Sequence, residues 1–160
     1  MASSFKKERN TMERVTGLGG VFFKVKDPEK LYAWYEKHLG MKRQSPEAFM
    51  FEWRDARNPR HKGMTVWGLF PSDSKYFQSN FMLNYRVAGL DSLLEALRND
   101  GVTIDPKRED YSYGRFAWIT DPEGNRIELW EPPAENQTKT LKKKRKSSTA
   151  RNRRKNRRKR

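Results

Sequence analysis

Cysteine is missing from this chain of 160 residues, and histidine occurs only twice. Without cysteine there are no disulfide bonds, thiolate metal sites or cysteine nucleophiles. No apolar run reaches the roughly 18 positions of a membrane-spanning helix, and the start MASSFKKERN lacks the apolar stretch of a secretory signal. We therefore expect a cytoplasmic protein with no membrane span. Its hydrophobic content of 34% suffices for the core of one ordinary domain.

Positive charge is distributed unevenly along the chain. The formal net charge is +15, from 35 Lys and Arg against 20 Asp and Glu. Fourteen of the basic residues lie between Lys139 and Arg160, where there is no Asp or Glu, so the rest of the chain holds 35 − 14 = 21 basic residues and 20 acidic ones. The body is nearly neutral, and the C-terminal segment carries the excess.

Two terminal segments are predicted to lie outside the folded domain. Residues 1–14 are polar and charged, and we interpret them as a flexible arm. Residues 134–160 form a Lys/Arg-rich tail with one large apolar residue, Leu141, which buries too little surface to offset the entropy of ordering. We predict a disordered tail and a folded domain at residues 15–133.

The tail predicts binding to a polyanion. Its two basic clusters, KKKRK and RNRRKNRRKR, suit a nucleic acid, an acidic protein or, in a eukaryote, nuclear import. Such binding weakens steeply with salt, and the tail has no aromatic residue with which to stack on bases. The alternative is a solubilising extension without a partner. The candidate polyanion-binding residues are Lys142, Lys143, Lys144, Arg145, Lys146, Arg153, Arg154, Arg157 and Arg158.

The first half of the domain is predicted to run strand, helix, strands. Val21–Val25 is typical of a strand, Asp27 suits a helix N-cap followed by Pro28, and Gly40 suits the helix end. The apolar stripe of this helix is predicted to contain Leu31, Trp34, Tyr35 and Leu39. Further strands are predicted at Phe49–Trp53 and Met64–Phe70, joined by an exposed loop, Arg54–Gly63.

The second half repeats this order. Val87 follows Val25 by 62 residues and Gly101 follows Gly40 by 61, which indicates an internal duplication. The elements are a strand at Phe81–Val87, a helical stripe of Leu90, Leu93, Leu94 and Leu97, and closing strands at Phe116–Ile119 and Arg126–Trp130. The halves together predict a single α+β domain with a cleft.

The run DPEGNRIELWEPP is a tight turn that leads into the last strand. Pro122, Gly124 and the Asp and Asn beside them are typical turn residues. Strand side chains alternate between faces, so Arg126, Glu128 and Trp130 share one face, and the apolar residues between them belong to the core. Glu128 is therefore a candidate for a site that the sheet encloses.

Three segments of the chain resemble the vicinal oxygen chelate superfamily, which includes glyoxalases, bleomycin resistance proteins and extradiol dioxygenases. They are GLGGVFFKVKDPEKLYAWYEKHLGM, NFMLNYRVAGLDSLLEALRNDGV and YGRFAWITDPEGNRIELWEPP. The resemblance covers about Val15 to Pro133 and implies paired βαβββ modules that form a curled mixed sheet with a cleft. It also implies a small-molecule ligand and a homodimer.

Metalloenzymes of this superfamily take a ligand from the first strand of each module and a carboxylate from the last strand. The resemblance places the carboxylate on Glu128 but the first-strand positions on Gly20 and Met82, which are unsuited to the metals concerned. The remaining position falls near Trp67 and Gly68. We expect no metal and no other cofactor, with a divalent metal as the less favoured alternative. His38, His61 and Glu128 supply enough ligands for an iron site of two histidines and one carboxylate. However, His38 is predicted at the end of a helix and His61 in a loop.

The remaining site residues are predicted from side-chain chemistry. Glu128 is the catalytic candidate, although a solvated or paired carboxylate is the alternative. Aromatic residues supply pocket walls, arginines can hold an anion, Asn84 can donate and accept, and Lys107–Phe116 is a lid or a surface turn. The candidate ligand-binding residues are Trp67, Asn84, Tyr111, Tyr113, Arg115, Trp118, Arg126 and Trp130.

Three functions are compatible with the sequence. The first is a binding module that holds a small aromatic or hydrophobic molecule without the usual metal. The second is a divergent enzyme of the superfamily, a lyase, isomerase or dioxygenase that uses Glu128 as base or metal ligand. The third is binding of a nucleic acid or another polyanion by the tail.

Overall fold

The structure is a computed structural model that describes residues 15–56 and 59–133. The predicted arm and the Lys/Arg-rich tail lie outside the described residues. The elements, in chain order, are β1 (Val15–Val25), α1 (Pro28–Leu39), β2 (Arg43–Ser45), β3 (Ala48–Arg54), β4 (Lys62–Pro71), β5 (Phe81–Val87), α2 (Leu90–Asn99), β6 (Thr103–Tyr111), β7 (Gly114–Thr120) and β8 (Arg126–Glu131).

All eight strands join one curled mixed sheet in the order β2-β3-β4-β1-β5-β8-β7-β6. The first module is β1-α1-β2-β3-β4 and the second is β5-α2-β6-β7-β8, so the predicted α+β fold with two βαβββ modules is confirmed. Strands β1 and β5 pair antiparallel where the modules meet, and β1–β4 and β5–β8 pair in parallel. Each module therefore contributes four neighbouring strands.

Helix α1 begins and ends as predicted, but its buried face differs. The Asp27 carboxylate accepts a hydrogen bond from the backbone N–H of Lys30, which satisfies a free donor of the first turn. The buried side chain is Tyr32, which donates to the Glu47 carbonyl and accepts from the N–H of Leu69. Trp34 and Leu39, two residues of the predicted stripe, are exposed.

Both helices pack on one face of the sheet. Helix α2 buries Leu90, Leu93 and Leu94 against Leu129, as the sequence predicts, while α1 packs on β3 and β4. No helix of residues 15–56 and 59–133 packs on the opposite face, which we call the open face. It holds its own cluster, in which Phe77, Met82 and Trp118 are buried and Phe22, Phe70, Tyr76 and Phe116 pack against them.

Two strands were not predicted. Strand β2 is short, and β6 contains Pro106 and five charged residues, so neither has the composition of a strand. Strand β6 pairs with β7 across a turn between Tyr111 and Gly114. Residues Lys107–Phe116, predicted as a lid or a surface turn, are therefore the two ends of a hairpin and its turn.

The turn before β8 has the predicted chemistry. The Asp121 carboxylate accepts from the backbone N–H groups of Glu123 and Asn125, and Gly124 has a φ of 83°. These bonds fix where β8 begins, and the strand then places Glu128 and Trp130 on the open face. The predicted alternation is confirmed, because Leu129 is buried on the helix-covered face.

Candidate functional site

A buried carboxylate lies at the centre of the open face. Glu128 is only 2% exposed, and three side chains donate hydrogen bonds to it. Asn84 Nδ2 lies 2.5 Å from Oε1, while Tyr76 Oη and Trp118 Nε1 lie 2.5 and 3.0 Å from Oε2. We call these four residues the Glu128 network. Its donors supply the hydrogen bonds that burial of a carboxylate requires.

Sheet register brings two of these donors to Glu128. Asn84 is opposite Glu128 in the parallel pair of β5 and β8, and Trp118 is opposite it in the antiparallel pair of β7 and β8. Residues that are opposite one another on neighbouring strands present their side chains on the same face. The sequence pattern of strands β5, β7 and β8 therefore fixes three members of the network.

Tyr76 reaches the network from outside the strands. It belongs to residues 72–80, which connect the two modules, and Arg126 donates to its carbonyl over 2.7 Å. Its ring stacks on Phe70 with an interplanar angle of 3° and meets Trp118 edge-on. The segment between the modules thus covers part of the open face above Glu128.

Burial raises the pKa of Glu128, although the hydrogen bonds from Tyr76, Asn84 and Trp118 and the charge of Arg126 act in the opposite direction. Burial also raises the pKa of the Tyr76 hydroxyl, and the neighbouring Glu128 raises it further. The hydroxyl consequently stays protonated and donates to the carboxylate. A carboxyl with a raised pKa can exchange its proton closer to neutral pH than an ordinary one.

The Asn84 amide donates to Glu128 through its nitrogen, and its oxygen is the other polar atom of the side chain. Its Oδ1 is buried and has no hydrogen-bond partner within residues 15–56 and 59–133. Gly19 of β1 lies against this oxygen, and a Cβ at Gly19 would overlap it. The absence of a side chain at Gly19 therefore allows the amide to sit beside Glu128.

Four aromatic side chains extend from the network to the edge of the sheet, and we call them the aromatic array. Its inner pair is Phe116 and Trp130, half-buried rings stacked at 12°. Its outer pair is Tyr111 and Tyr113, exposed rings stacked at 10° with centroids 5.0 Å apart. Both tyrosines also contact Phe116 edge-on.

Glycine backbones hold the indole of Trp130. A Cβ at Gly114 would overlap Trp130 Nε1, and a Cβ at Gly19 would lie 3.1 Å from its Cε3. The φ of Gly114 is 149°, a conformation that other residues rarely adopt. Trp130 Nε1 donates to the carbonyl of Tyr113 over 3.3 Å, which ties the β6–β7 turn to β8.

Basic side chains flank the other end of the network. Arg126 lies 5.0 Å from the Trp118 ring and is paired with Asp105. Lys107 lies 5.1 Å from the same ring and is paired with Glu109. Both cations are thus already neutralised by a carboxylate, although either could also contact a ligand.

The structure places two predicted site residues elsewhere. Trp67 packs against Phe23 and Tyr35 on the helix-covered face, and its Nε1 is buried without a hydrogen-bond partner in the described part of the chain. Arg115 forms ion pairs with Asp91 of α2 and with Glu131. Alternation along β4 and β7 points these side chains away from the open face. The other predicted ligand-binding residues, Asn84, Tyr111, Tyr113, Trp118, Arg126 and Trp130, share that face with Glu128.

The residues of this site do not fit the metal centre that the fold family implies. The repeat offset of 62 relates Asn84 to Phe22, and sheet register pairs Phe22 with Gly68 as it pairs Asn84 with Glu128. The first module therefore offers a phenyl ring and a glycine where the second offers an amide and a carboxylate. Both Glu128 oxygens also face N–H or O–H donors, whose positive ends oppose a cation.

The two histidines do not join Glu128. His38 lies at the end of α1 against Trp34, and His61 is exposed before β4. Across residues 15–56 and 59–133 there is no group of three or more His, Cys, Asp or Glu side chains that could hold a metal ion. The hypothetical site of His38, His61 and Glu128 is therefore not assembled.

A concavity lies at the β3–β4 hairpin of the first module. It has a volume of about 150 Å³ and is lined by Glu52, Trp53, Arg54 and Lys62. Three of these four side chains carry charge, and the concavity is open to solvent. The Glu128 network, with its buried polar atoms, is the more specific site.

Sequence reasoning missed Tyr76 and Phe22. Tyr76 lies in a polar stretch, SDSKYFQSN, and the aromatic pair Tyr-Phe within it is the only signal that this segment packs on the sheet. Phe22 falls in a predicted strand, but its position opposite Gly68 follows only from the register.

Comparison with known proteins gives one family and one fold. A family model described as Glyoxalase/Bleomycin resistance protein/Dioxygenase superfamily matches residues 17–129. No curated protein sequence matches the chain at a significant level. No helix within the described residues is long and apolar enough to cross a membrane.

Solved structures with a similar fold include methylmalonyl-CoA epimerases. One from Streptomyces coelicolor, a single-residue variant in complex with 2-nitronate-propionyl-CoA, is 17% identical with a TM-score of 0.57, covering 76% of this chain and 100% of its own. One from Mycobacterium tuberculosis is 23% identical with a TM-score of 0.50, covering 78% and 93%. At these identities the likeness concerns the fold.

Proposed function

Because the chain belongs to the glyoxalase/bleomycin resistance protein/dioxygenase superfamily, we propose that it binds a small, planar and largely apolar molecule on the open face of its second module. The superfamily hosts many chemistries, so the proposal depends on the site. The observation that carries it is the aromatic array, whose half-buried inner pair, Phe116 and Trp130, lies beside the buried Glu128 network. Flat rings next to a few buried polar groups are typical of small-molecule sites.

The ligand of this proposal lies against Trp130 and directs a polar group toward Asn84 and Glu128. Trp130 is fixed by Gly114 and by its bond to Tyr113, so its ring needs little reordering when a ligand stacks on it. Arg126 and Lys107 at the other end are each paired with a carboxylate, so the ligand needs no carboxylate or phosphate there. No metal ion is required, because the donors around Glu128 do not suit one.

Calorimetric titration with a panel of one- to three-ring aromatic compounds tests this function. We expect saturable binding of at least one compound, weakened about fivefold or more by Trp130→Leu, since stacking on a ring is worth about 1 kcal/mol or more. The matched control is Trp34→Leu, which removes an exposed ring from α1 and should leave the affinity unchanged.

Two results would contradict the proposal. The first is the absence of binding across the panel, or equal affinity in the wild type and Trp130→Leu. The second concerns the proposal that the site needs no metal ion. If purified wild-type protein contained stoichiometric Zn, Ni, Fe or Mn and the Glu128→Gln variant did not, the carboxylate would hold a metal.

A divergent enzyme is the second candidate, and the pKa of Glu128 favours it. Burial raises that pKa, which suits a general acid or base. Two solved structures of similar fold are methylmalonyl-CoA epimerases, and epimerisation beside a carbonyl removes and returns a proton. Incubation with methylmalonyl-CoA in heavy water is the test: deuterium incorporation by the wild type, lost in Glu128→Gln, would favour the enzyme over the binding module.

A further inference from the structure

Tyr76 is the member of the Glu128 network that can leave it without moving a strand. Asn84 and Trp118 lie opposite Glu128 on neighbouring strands, so strand pairing fixes their positions. Tyr76 lies in residues 72–80, which belong to no helix or strand. Its side chain is half-buried, whereas the Glu128 side chain is buried. On the side away from the sheet, the Tyr76 ring therefore covers the carboxylate.

Contacts other than those of the Tyr76 ring hold this segment in place. The next residue, Phe77, is buried and packs edge-on against Phe70. Arg126 donates to the backbone carbonyl of Tyr76, and the carbonyl of Asn80 accepts a backbone hydrogen bond from β1. The ring can consequently rotate out about its own side-chain bonds while the backbone of the segment stays where it is.

The place that the Tyr76 side chain occupies has the features of a site for a phenol. The ring lies on Phe70 with an interplanar angle of 3° and meets Trp118 edge-on, with centroids 6.2 Å apart. The hydroxyl donates to Oε2 of Glu128 over 2.5 Å. Burial raises the pKa of this hydroxyl, and Glu128 raises it further. A phenol in the same place would therefore also stay protonated and donate.

A ligand that replaces the Tyr76 ring needs a hydrogen-bond donor. When the ring leaves, Oε1 of Glu128 keeps its bond from Asn84 and Oε2 keeps its bond from Trp118, but the third donor is lost. A buried carboxylate that lacks a donor is destabilised, so a ring without a hydroxyl gains less from this place than a phenol does. A carboxylate on the ligand would be repelled by Glu128.

We propose, resting on the function proposed above, that the ligand of the open face is a phenol and that Tyr76 occupies its place until the phenol displaces it. The phenol ring then lies on Phe70, and its hydroxyl donates to Glu128. The rest of the ligand extends across Phe116 to Trp130. Phe116 connects the two regions, because it packs against the buried cluster of the open face and stacks on Trp130.

Calorimetric titration of the full-length protein with p-cresol, the side-chain analogue of tyrosine, tests this competition. In Tyr76→Phe the ring has no bond to Glu128, so the place is vacant in a larger fraction of molecules. A hydrogen bond to a charged group is worth about tenfold or more in an equilibrium constant, so Tyr76→Phe should bind p-cresol about tenfold more tightly than the wild type does. Tyr76→Ala, which has no competing ring, should bind at least as tightly as Tyr76→Phe.

Two controls separate recognition of the hydroxyl from the filling of a hole. Toluene lacks the hydroxyl and should bind Tyr76→Ala about tenfold more weakly than p-cresol does, because it leaves Glu128 one donor short. Tyr35→Phe is the matched control variant, since Tyr35 packs against Phe49 and Trp67 on the helix-covered face. It should leave the affinity for p-cresol unchanged.

Fluorine NMR of protein labelled with 3-fluorotyrosine observes the displacement directly. The Tyr76 resonance is the one that is missing from the spectrum of Tyr76→Phe. Saturation with p-cresol should move it to the position of an exposed tyrosine. The resonance of Tyr32, which is buried on the helix-covered face, should stay where it is.

The proposal is overturned if Tyr76→Phe binds p-cresol no more tightly than the wild type, if toluene binds Tyr76→Ala as tightly as p-cresol, or if the Tyr76 resonance does not move at saturation. Thermal melting verifies that each variant is folded; if Tyr76→Ala is not, both compounds are compared on Tyr76→Phe. Aromatic compounds that bind through Trp130 but are unaffected by Tyr76→Phe would refute the role of Tyr76 and leave the proposed function standing.

Discussion

Glu128 is stable in the interior because three donors converge on its two oxygens. A carboxylate that is buried without partners would cost several kcal/mol, whereas each hydrogen bond to a charged group returns about 1.5–3 kcal/mol. Burial nevertheless remains the largest influence, because the pKa of Glu128 is raised rather than lowered. The network is thus better suited to holding a proton than an exposed carboxyl would be.

Glu128→Gln should destabilise the protein most at acid pH. The amide N–H₂ would face a donor, so we expect a loss of about 1–3 kcal/mol of unfolding free energy. The pKa of Glu128 is higher in the folded chain than its ordinary value of 4.5, so its proton-linked contribution is complete below that pH and is lost as pH rises through the raised pKa. The difference between wild type and variant, measured by urea unfolding, should therefore shrink as pH rises.

The matched control for this measurement is Glu95→Gln, an exposed carboxylate on α2. Its effect on the free energy of unfolding should be small, because the side chain is exposed. Asp91 and Asp121 have lowered pKa values, but both groups are common to the wild type and the variants, so their contributions cancel. A difference for Glu128→Gln that stays constant or grows with pH would show that burial does not raise the pKa of the carboxyl.

For single residues, the sequence predicts the face of the sheet on which a strand side chain lies. The positions of Glu128 and Trp130 on one face and of Leu129 on the other follow from a period of two that begins at the Asp121 turn. Tyr76 was not predictable, because its contact with Glu128 spans 52 residues and depends on how an irregular segment folds over the sheet. The register of β4 against β1, which sets Gly68 beside Phe22, is likewise a long-range property.

The β6–β7 hairpin depends on a single glycine at its turn. Gly114 combines a positive φ with close approach of the Trp130 ring, whereas Gly101 has a positive φ of 76° but nothing within 4 Å of its missing side chain. Substitutions at these two glycines therefore separate the stability cost of backbone strain from the cost of steric overlap. Gly114 contacts the aromatic array, and Gly101 does not.

Gly114→Ala should cost more stability than Gly101→Ala and should move Trp130. We expect about 1–2 kcal/mol for Gly101→Ala from strain alone and a larger loss for Gly114→Ala, accompanied by a shift of tryptophan emission to longer wavelength as the indole becomes exposed. Urea unfolding and emission spectra provide the measurements. Equal losses with unchanged emission would mean that Trp130 does not rest on Gly114.

Elements with a strong internal pattern were predicted, and those stabilised by their neighbours were not. Helix α2 has four leucines at helical spacing and was placed correctly, as was β5. Strand β6 has Pro106 and many charges, and its pairing with β7 decides its conformation. In α1 the hydroxyl of Tyr32 bonds two backbone groups of the first module, and this tertiary demand decided which side of the helix is buried.

The two modules are joined by side-chain packing as well as by strand pairing. Besides the β1–β5 pair, the open-face cluster combines Phe22 and Phe70 of the first module with Met82, Phe116 and Trp118 of the second. Because this cluster and the continuous sheet cross the boundary, neither module has a core that is complete without the other. Cooperative unfolding of the domain follows.

Tyr32→Phe tests this cooperativity from the first module. The substitution leaves the N–H of Leu69 without its partner, so we expect a loss of about 1–3 kcal/mol. Circular dichroism and tryptophan fluorescence should report one coincident transition, moved to lower denaturant concentration. Tyr113→Phe is the control, since its side chain is exposed. Two separate transitions in Tyr32→Phe would show that the modules unfold independently.

The halves of the open face are unequal, with an amide and a carboxylate on one side of the module boundary and Phe22 over Gly68 on the other. A Cβ on Gly68 would lie only 3.0 Å from the Phe22 ring, so this side has no room for a matching acid. An amphiphilic ligand consequently has one favourable orientation, in which its polar group is directed to Asn84 and Glu128 and not to Phe22 and Gly68. The reversed orientation, which a symmetric site would permit, is disfavoured because Phe22 and Gly68 offer no polar side chain to the ligand.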